Sequence, residues 1–300
     1  MSDPFPPSEA APIDFDALWD YQDPAKTEAR FIALLPPVRQ STDAGYLAEL
    51  LTQIARCQGL QRHFEAAQAT LDEVKALLPE ATPSAHVRYL LERGRVYNTA
   101  GETDPARDNF RAAWHLAVEH GEDGFAVDAA HMMAIVEPGT TGLDWNLAAL
   151  ELCERSEDTS AQKWKGSLLN NIGWSYHELG RYEEALDTFE RGLEWQQSAG
   201  KVREARIAAW TVARTLRSLG RAGEALAIQL DNLSRVRETG DSDGFVEEEI
   251  AECLLALGRA DEARPHFASA HETLSKDPWL SADEPDRLER LEKLGSEDRT

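Results

Sequence analysis

A phrase of about fifteen residues recurs five times, and no other feature limits the fold as much. It reads LQRHFEAAQATLDEV at 60–74, AGETDPARDNFRAAW at 100–114, LGRYEEALDTFERGL at 179–193, LGRAGEALAIQLDNL at 219–233 and LGRADEARPHFASAH at 257–271. Each copy holds a turn, a few polar residues and Ala; four carry a larger apolar residue four positions on, and three a small residue three beyond that. The turns are anchored at Arg62, Gly101, Gly180, Gly220 and Gly258, and a degenerate copy at 134–154 fills the long gap between the second and third anchors. Counting that copy, the mean spacing is about 39 residues, a period that implies stacked supersecondary units. The surrounding sequence has helical apolar spacing and no alternating β-branched runs.

Within NNIGWSYHELG at 170–180, a glycine interrupts an otherwise good helix. Interior glycine costs a helix about 0.5–1 kcal/mol relative to alanine. The same position holds Ala55, Gly94, Ala130, Ala213 and Ala251 in the other copies. A small residue in every copy predicts a place where neighbouring helices approach closely. Gly180 has a different expected role, a left-handed cap ending the helix.

These residues resemble the tetratricopeptide repeat family. The fourth copy matches its pattern at Leu169, Ile172, Gly173, Tyr176, Gly180, Ala185, Phe189 and Gly192. The second matches at Leu90, Gly94, Tyr97, Gly101, Ala106, Phe110 and Ala113, and the last at Ile250, Ala251, Leu254, Gly258, Ala263, Phe267 and Ala270. The resemblance implies an all-α fold, a right-handed α-solenoid of antiparallel helix pairs with terminal capping helices. The period exceeds the family's usual 34, which implies longer helices.

The expected organisation is a disordered segment at 1–12, an N-terminal capping helix or half-repeat at 13–44, a solenoid of about six repeats at 45–278, and a C-terminal capping helix and tail at 279–300. Asp23 can cap the first helix and Pro24 suits its first turn, while Pro36-Pro37 should stop it at 35. EPDRLERLEKLG at 284–295 reads as the closing helix.

The resemblance also implies a binding groove lined by the first helix of each repeat. Carrying the family's groove positions over copy by copy brings forward Arg56, Arg88, Arg95, Asn98, His131, Asn170, Trp174, His177, Trp210, Arg214 and Arg217. Two positions per repeat supply six Arg or His and one carboxylate, although the chain has 54 acidic and 31 basic residues. Two readings follow: a groove for an acidic peptide or protein segment, or arginines that pair with acids on the neighbouring helix. A two-repeat clamp for a C-terminal carboxylate is not carried over, because its lysine positions hold other residues.

A net charge of −23 opposes nucleic-acid binding and adsorption to anionic lipid. No apolar stretch approaches the roughly 20 residues of a membrane span, and the N-terminus lacks the pattern of a secretory signal, so a cytoplasmic location is expected. Cys57, Cys153 and Cys253 lie far apart and read as buried helix residues. No catalytic or phosphate-binding motif is present, and His115–Glu119–His120 lacks a third ligand, so neither metal nor cofactor is expected. The expected function is a non-catalytic binding module. Alternatives are a regulatory receptor that senses a small peptide through a change of superhelical pitch, and a structural assembly scaffold. An enzyme using His131 and His177 is disfavoured, because neither has an evident nucleophile or orienting carboxylate.

Overall fold

A computed structural model describes residues 13, 15–41, 43–238 and 240–296. The disordered segment expected at 1–12, and the last residues of the expected C-terminal tail, lie outside the described residues. The described residues are helical without strands, and they form two compact units, one ending at Gln162 and one starting at Lys163.

The first unit begins with a short 3-10 turn, Asp16–Leu18, and α1 (Pro24–Gln40). Three antiparallel pairs follow: α2 (Ala44–Leu60) with α3 (Phe64–Leu77), α4 (Pro83–Thr99) with α5 (Thr103–His120), and α6 (Asp123–Val136) with α7 (Thr140–Arg155). The four-residue α8 (Thr159–Gln162) closes it. The second unit holds α9 (Lys165–Glu178) with α10 (Tyr182–Ser198), α11 (Val202–Ser218) with α12 (Ala222–Glu238), and α13 (Gly244–Ala256) with α14 (Ala260–Leu274). The short α15 (Pro278–Asp283) and α16 (Pro285–Ser296) end it, with α16 packed on α14. Each unit is thus an α-solenoid of helix pairs, whose first members are termed A helices and second members B helices.

Asp23 caps α1 by accepting from the Lys26 N–H at 2.9 Å, with Pro24 in the first turn. The helix then runs through Pro36 and Pro37 to Gln40, five residues beyond the expected stop. Those prolines remove two donors, but Val38 beyond them is buried. Ser41 closes the end through its N–H to Val38 O at 3.1 Å and its hydroxyl to the same oxygen at 2.7 Å. Burial of the last turn outweighs the local proline signal.

The small position in the A helices meets the large residue of the B helix. A methyl on Gly173 would lie 2.6 Å from Phe189 Cδ1 and 2.7 Å from Cζ; Gly94 stands in the same relation to Phe110. Close-packed interiors have no room for that methyl, so glycine's conformational cost is accepted where an aromatic ring packs directly against the helix backbone. Ala251 faces Phe267 at the equivalent place in the last pair, both fully buried.

Turns between A and B helices repeat one hydrogen bond. The residue after the anchor donates to a carbonyl five residues back: His63 to Gln58, Glu102 to Tyr97, Arg181 to Tyr176, Arg221 to Leu216 and Arg259 to Leu254, all at 2.9 Å. The anchor takes a left-handed conformation, at φ 72° for Gly180 and φ 63° for Arg62. The degenerate third copy turns differently, through Glu137, Pro138 and Gly139.

Where α12, α13 and α14 meet, Glu247 is buried and accepts from His266 Nδ1 at 2.5 Å and Arg237 Nη2 at 3.2 Å. Burial works to raise its carboxyl. The hydrogen bond and charge of His266 and the charge of Arg237 outweigh that and hold it below the ordinary carboxylate range. All three cysteines are buried and reduced. Burial pushes the Cys57 and Cys253 thiols up to about 12.

Candidate functional site

Adjacent A helices are joined by arginine–carboxylate pairs with a fixed register. The residue just after the small position pairs with the residue two before the small position of the next A helix. In the first unit, Arg56 on α2 reaches Glu92 on α4 at 3.1 Å, and Arg95 on α4 reaches both oxygens of Asp128 on α6 at 2.6 and 2.5 Å. Arg95 also bonds Glu92 within its own helix. In the second unit the corresponding residues are Arg214 on α11 and Glu249 on α13, but their closest approach is 3.9 Å. Glu249 is taken by Arg217, one turn further on, through contacts of 2.6 and 3.0 Å. Beyond them the polarity reverses: Glu248 and Glu252 of α13 accept from Arg287 and Arg290 of α16.

Several expected groove residues are therefore built into the stacking of the helices. Arg56 has a further engagement, since Trp19 and Tyr21, ahead of α1, lie over the A face of α2. Trp19 donates from Nε1 to Gln53 Oε1 at 2.7 Å and stacks on Tyr21 at 4.8 Å. The Arg56 guanidinium lies 5.5 and 5.6 Å from those two rings. Arg88 lies 4.8 Å over Phe125 of α6 and 3.9 Å from Glu49 of α2. His131 sits beside the Arg95–Asp128 pair. Burial lowers its pKa, Asp128 opposes that shift and Arg95 adds to it. Asn98 borders a cleft of about 190 Å³ with Arg56, Glu92, Arg95 and Met132.

Between α9 and α11 the register is broken. Trp174 stands where the arginine would be and Thr211 where the carboxylate would be, and no ion pair joins the two helices among the described residues. An aromatic cluster takes its place. Trp174 is 6.2 Å from Trp210, 5.3 Å from His177 and 5.3 Å from Phe189, and His177 meets Tyr182 edge-on at 4.9 Å. Trp210 is fixed by donating from Nε1 to Phe245 O at 3.0 Å. His177 Nε2 lies 3.0 Å from Ser218 Oγ, which also accepts from Arg214 Nη1 at 2.7 Å. Burial, then Arg214 and Arg217, lower the His177 pKa, so the ring is neutral at pH 7. Burial and the adjacent Arg217 likewise lower that of Arg214. Glu249 is contacted closely by Arg217 and only at 3.9 Å by Arg214; Glu252 acts on both at longer range, and at Arg214 burial and Arg217 outweigh the two carboxylates.

Sequence reasoning placed Asn170, Trp174, His177, Trp210, Arg214 and Arg217 on the A helices, and the structure brings all but Asn170 into this cluster. Asn170 lies two turns earlier on α9, at a separate cavity. The pattern search missed Ser218 and Tyr182, and it missed the acids Glu92, Asp128 and Glu249. Those acids had a readable signal, because each lies two residues before a small position.

Among the described residues no cluster of three or more His, Cys, Asp or Glu could hold a metal, and no helix is long and apolar enough to cross a membrane.

A family model of the tetratricopeptide repeat matches residues 166–198, which are α9 and α10. No curated protein sequence matches the chain. Among solved structures, the chain is similar to the apo form of RapI (TM-score 0.73, 13% identity, covering 95% of this chain and 81% of that one). It is similar to the apo form of the quorum sensor NprR from B. thuringiensis (TM-score 0.64, 19% identity, covering 93% and 78%). NprR in complex with its cognate peptide NprX also matches (TM-score 0.52, 21% identity, covering 93% and 80%). One repeat of the chain, residues 166–198, thus matches the tetratricopeptide pattern, and the chain shares the helical-solenoid fold of these solved structures.

Proposed function

We propose that the chain is a non-catalytic module that binds a peptide or an extended protein segment, and that the A face of α9 and α11 is the binding surface. The observation that carries this reading is the break in the arginine–carboxylate register. Elsewhere in each unit these side chains are consumed by helix stacking. At α9–α11 those two positions hold Trp174 and Thr211, Trp210 lies beside Trp174, and Arg214 makes no close contact with a carboxylate.

Indole faces offer apolar area at small conformational cost, and an arginine with a spare fork binds a carboxylate bidentately. An acidic side chain or chain terminus could replace Ser218 as the partner of Arg214 while its neighbouring side chain packs on the indoles. That NprR, of the same fold, has been solved with its cognate peptide supports a peptide as the ligand class.

The test is affinity capture from the source cells with the full chain and with Trp174→Ala/Arg214→Gln, followed by sequencing of retained peptides and proteins. The wild type should retain a defined set and the variant should lose it. Retention of the same set by both would overturn the assignment of this face.

A further inference from the structure

Beside the aromatic cluster, the second unit has a cavity of about 280 Å³ at the junction of α9, α10 and α11. Its walls combine an apolar floor, Phe189, Ile207 and Ala208, with polar groups from three helices. Unlike the arginines of the A faces, most of those polar groups have no partner. Ser167 and Asn170 make no side-chain hydrogen bond among the described residues, and Glu204 has no ion pair there. Gln196 Oε1 is fully buried without a donor. The Thr211 hydroxyl donates to Ala208 O at 2.8 Å, leaving its lone pairs to accept.

Glu204 is the one charged side chain in this lining. The nearby cation Lys165 is instead held 5.3 Å over the Trp195 ring. The cavity thus presents one carboxylate and several free acceptors above an apolar floor. That composition is complementary to an alkyl stem ending in a cation.

We infer that the α9–α10–α11 cavity receives a lysine or arginine side chain of the bound segment, with Glu204 as its counter-ion. The inference rests on the peptide-binding reading and gives it a second, oppositely charged contact. The stem packs on Phe189 and Ile207, and the cationic head meets Glu204 and the Asn170 carbonyl. Along α9, Asn170 and His177 are two turns apart, about 10 Å at 1.5 Å per residue. An extended chain covers that distance in about three residues. The ligand therefore carries a cation and a carboxylate about three residues apart, the carboxylate meeting Arg214.

The experiment uses an array of N-acetylated random decapeptides, probed with the full chain, with Glu204→Gln and with Arg214→Gln. Each best binder is resynthesised with its lysine or arginine replaced by norleucine. Glu204 is exposed, so its amide leaves the fold intact, and far-UV circular dichroism verifies that. For the wild type, norleucine should weaken binding about tenfold, the scale of one charge-assisted contact. Glu204→Gln should erase that difference, while Arg214→Gln should keep it and lose the preference for a carboxylate. Binders indifferent to norleucine, or a cation preference surviving Glu204→Gln, would overturn the cavity assignment while leaving peptide binding in place. An array on which nothing binds would overturn both.

Discussion

Arg95 donates from one guanidinium nitrogen to both carboxylate oxygens of Asp128, at 2.6 and 2.5 Å, across the junction of α4 and α6. Both side chains are mostly buried, at 17% and 14% exposure. The same guanidinium reaches Glu92, whose side chain is 5% exposed. An arginine so enclosed holds helices together and has little left for a ligand. Removing one partner from a buried pair leaves an uncompensated charge, which costs about 3–5 kcal/mol. Arg95→Gln should therefore destabilise the chain by about 3 kcal/mol, toward the lower bound because Arg56 still reaches Glu92.

Arg214→Gln should behave differently. Arg217 keeps its two contacts with Glu249, so the carboxylate remains paired. Urea unfolding should show a change below about 1 kcal/mol, typical of a partly exposed site. Equal destabilisation by the two substitutions would place Arg214 among the structural arginines and remove it from the binding face.

How far the sequence reveals this arrangement depends on whether a signal is local or shared between helices. Gly180 and its equivalents end helices through a bond between residues five apart, so the turns are readable in a single copy. The small position is readable because it recurs with the period of the fold. The partner of Arg95 is 33 residues away, and its identity needs the register between neighbouring A helices. Asp128 stands in plain sight at that register, but only stacked helices give the register meaning. Trp19 folding onto Gln53 and α1 continuing through Pro36-Pro37 are tertiary outcomes that override local preference. The cavity at Glu204 comes from three helices in two repeats, and no single stretch of sequence contains it.

The contact between Gly173 and Phe189 separates helix propensity from packing. In an isolated helix, Gly173→Ala would gain about 1 kcal/mol. Here the added methyl meets the ring of Phe189, and overpacking of this kind costs about 1–3 kcal/mol. The net expectation is a loss of about 1 kcal/mol, measured by thermal denaturation, and its relief in Gly173→Ala/Phe189→Leu. A higher melting temperature for the single variant would show that the helices separate easily at this point.

Glu247 should make stability depend on acid pH. Its carboxyl is held below the ordinary range in the folded state, so the folded state binds fewer protons than the unfolded chain near the ordinary carboxylate value of 4.5. The stabilisation is complete above the unfolded value and is lost as pH falls through the folded one. At pH 7, Glu247→Gln should cost about 1–2 kcal/mol, chiefly from the partly buried His266 contact because Arg237 is largely exposed. The difference in melting temperature between wild type and variant should narrow as pH drops below about 4.5. A constant gap from neutral to acid pH would mean that hydrogen-bond geometry, and not the charge of Glu247, is what α12 and α14 require.

Arg62 occupies the turn slot that glycine holds in four of the other copies, at φ 63°. The left-handed conformation costs a residue with a Cβ about 1–2 kcal/mol, whereas glycine adopts it freely. Glycine also gives the unfolded chain more freedom, which takes back about 0.4–1 kcal/mol. The Arg62 guanidinium lies 5.7 Å from the Phe64 ring, an exposed contact worth about 0.5 kcal/mol. These effects leave Arg62→Gly within about 1 kcal/mol of the wild type, centred on a slight gain in stability. The mirror experiment is larger and of opposite sign: Gly180→Ala places a Cβ at φ 72° with no compensating contact and should destabilise by about 1 kcal/mol. Urea denaturation of both variants decides the matter. A loss above about 1 kcal/mol in Arg62→Gly would mean that the arginine side chain holds α3 against α2 in a way its backbone strain conceals.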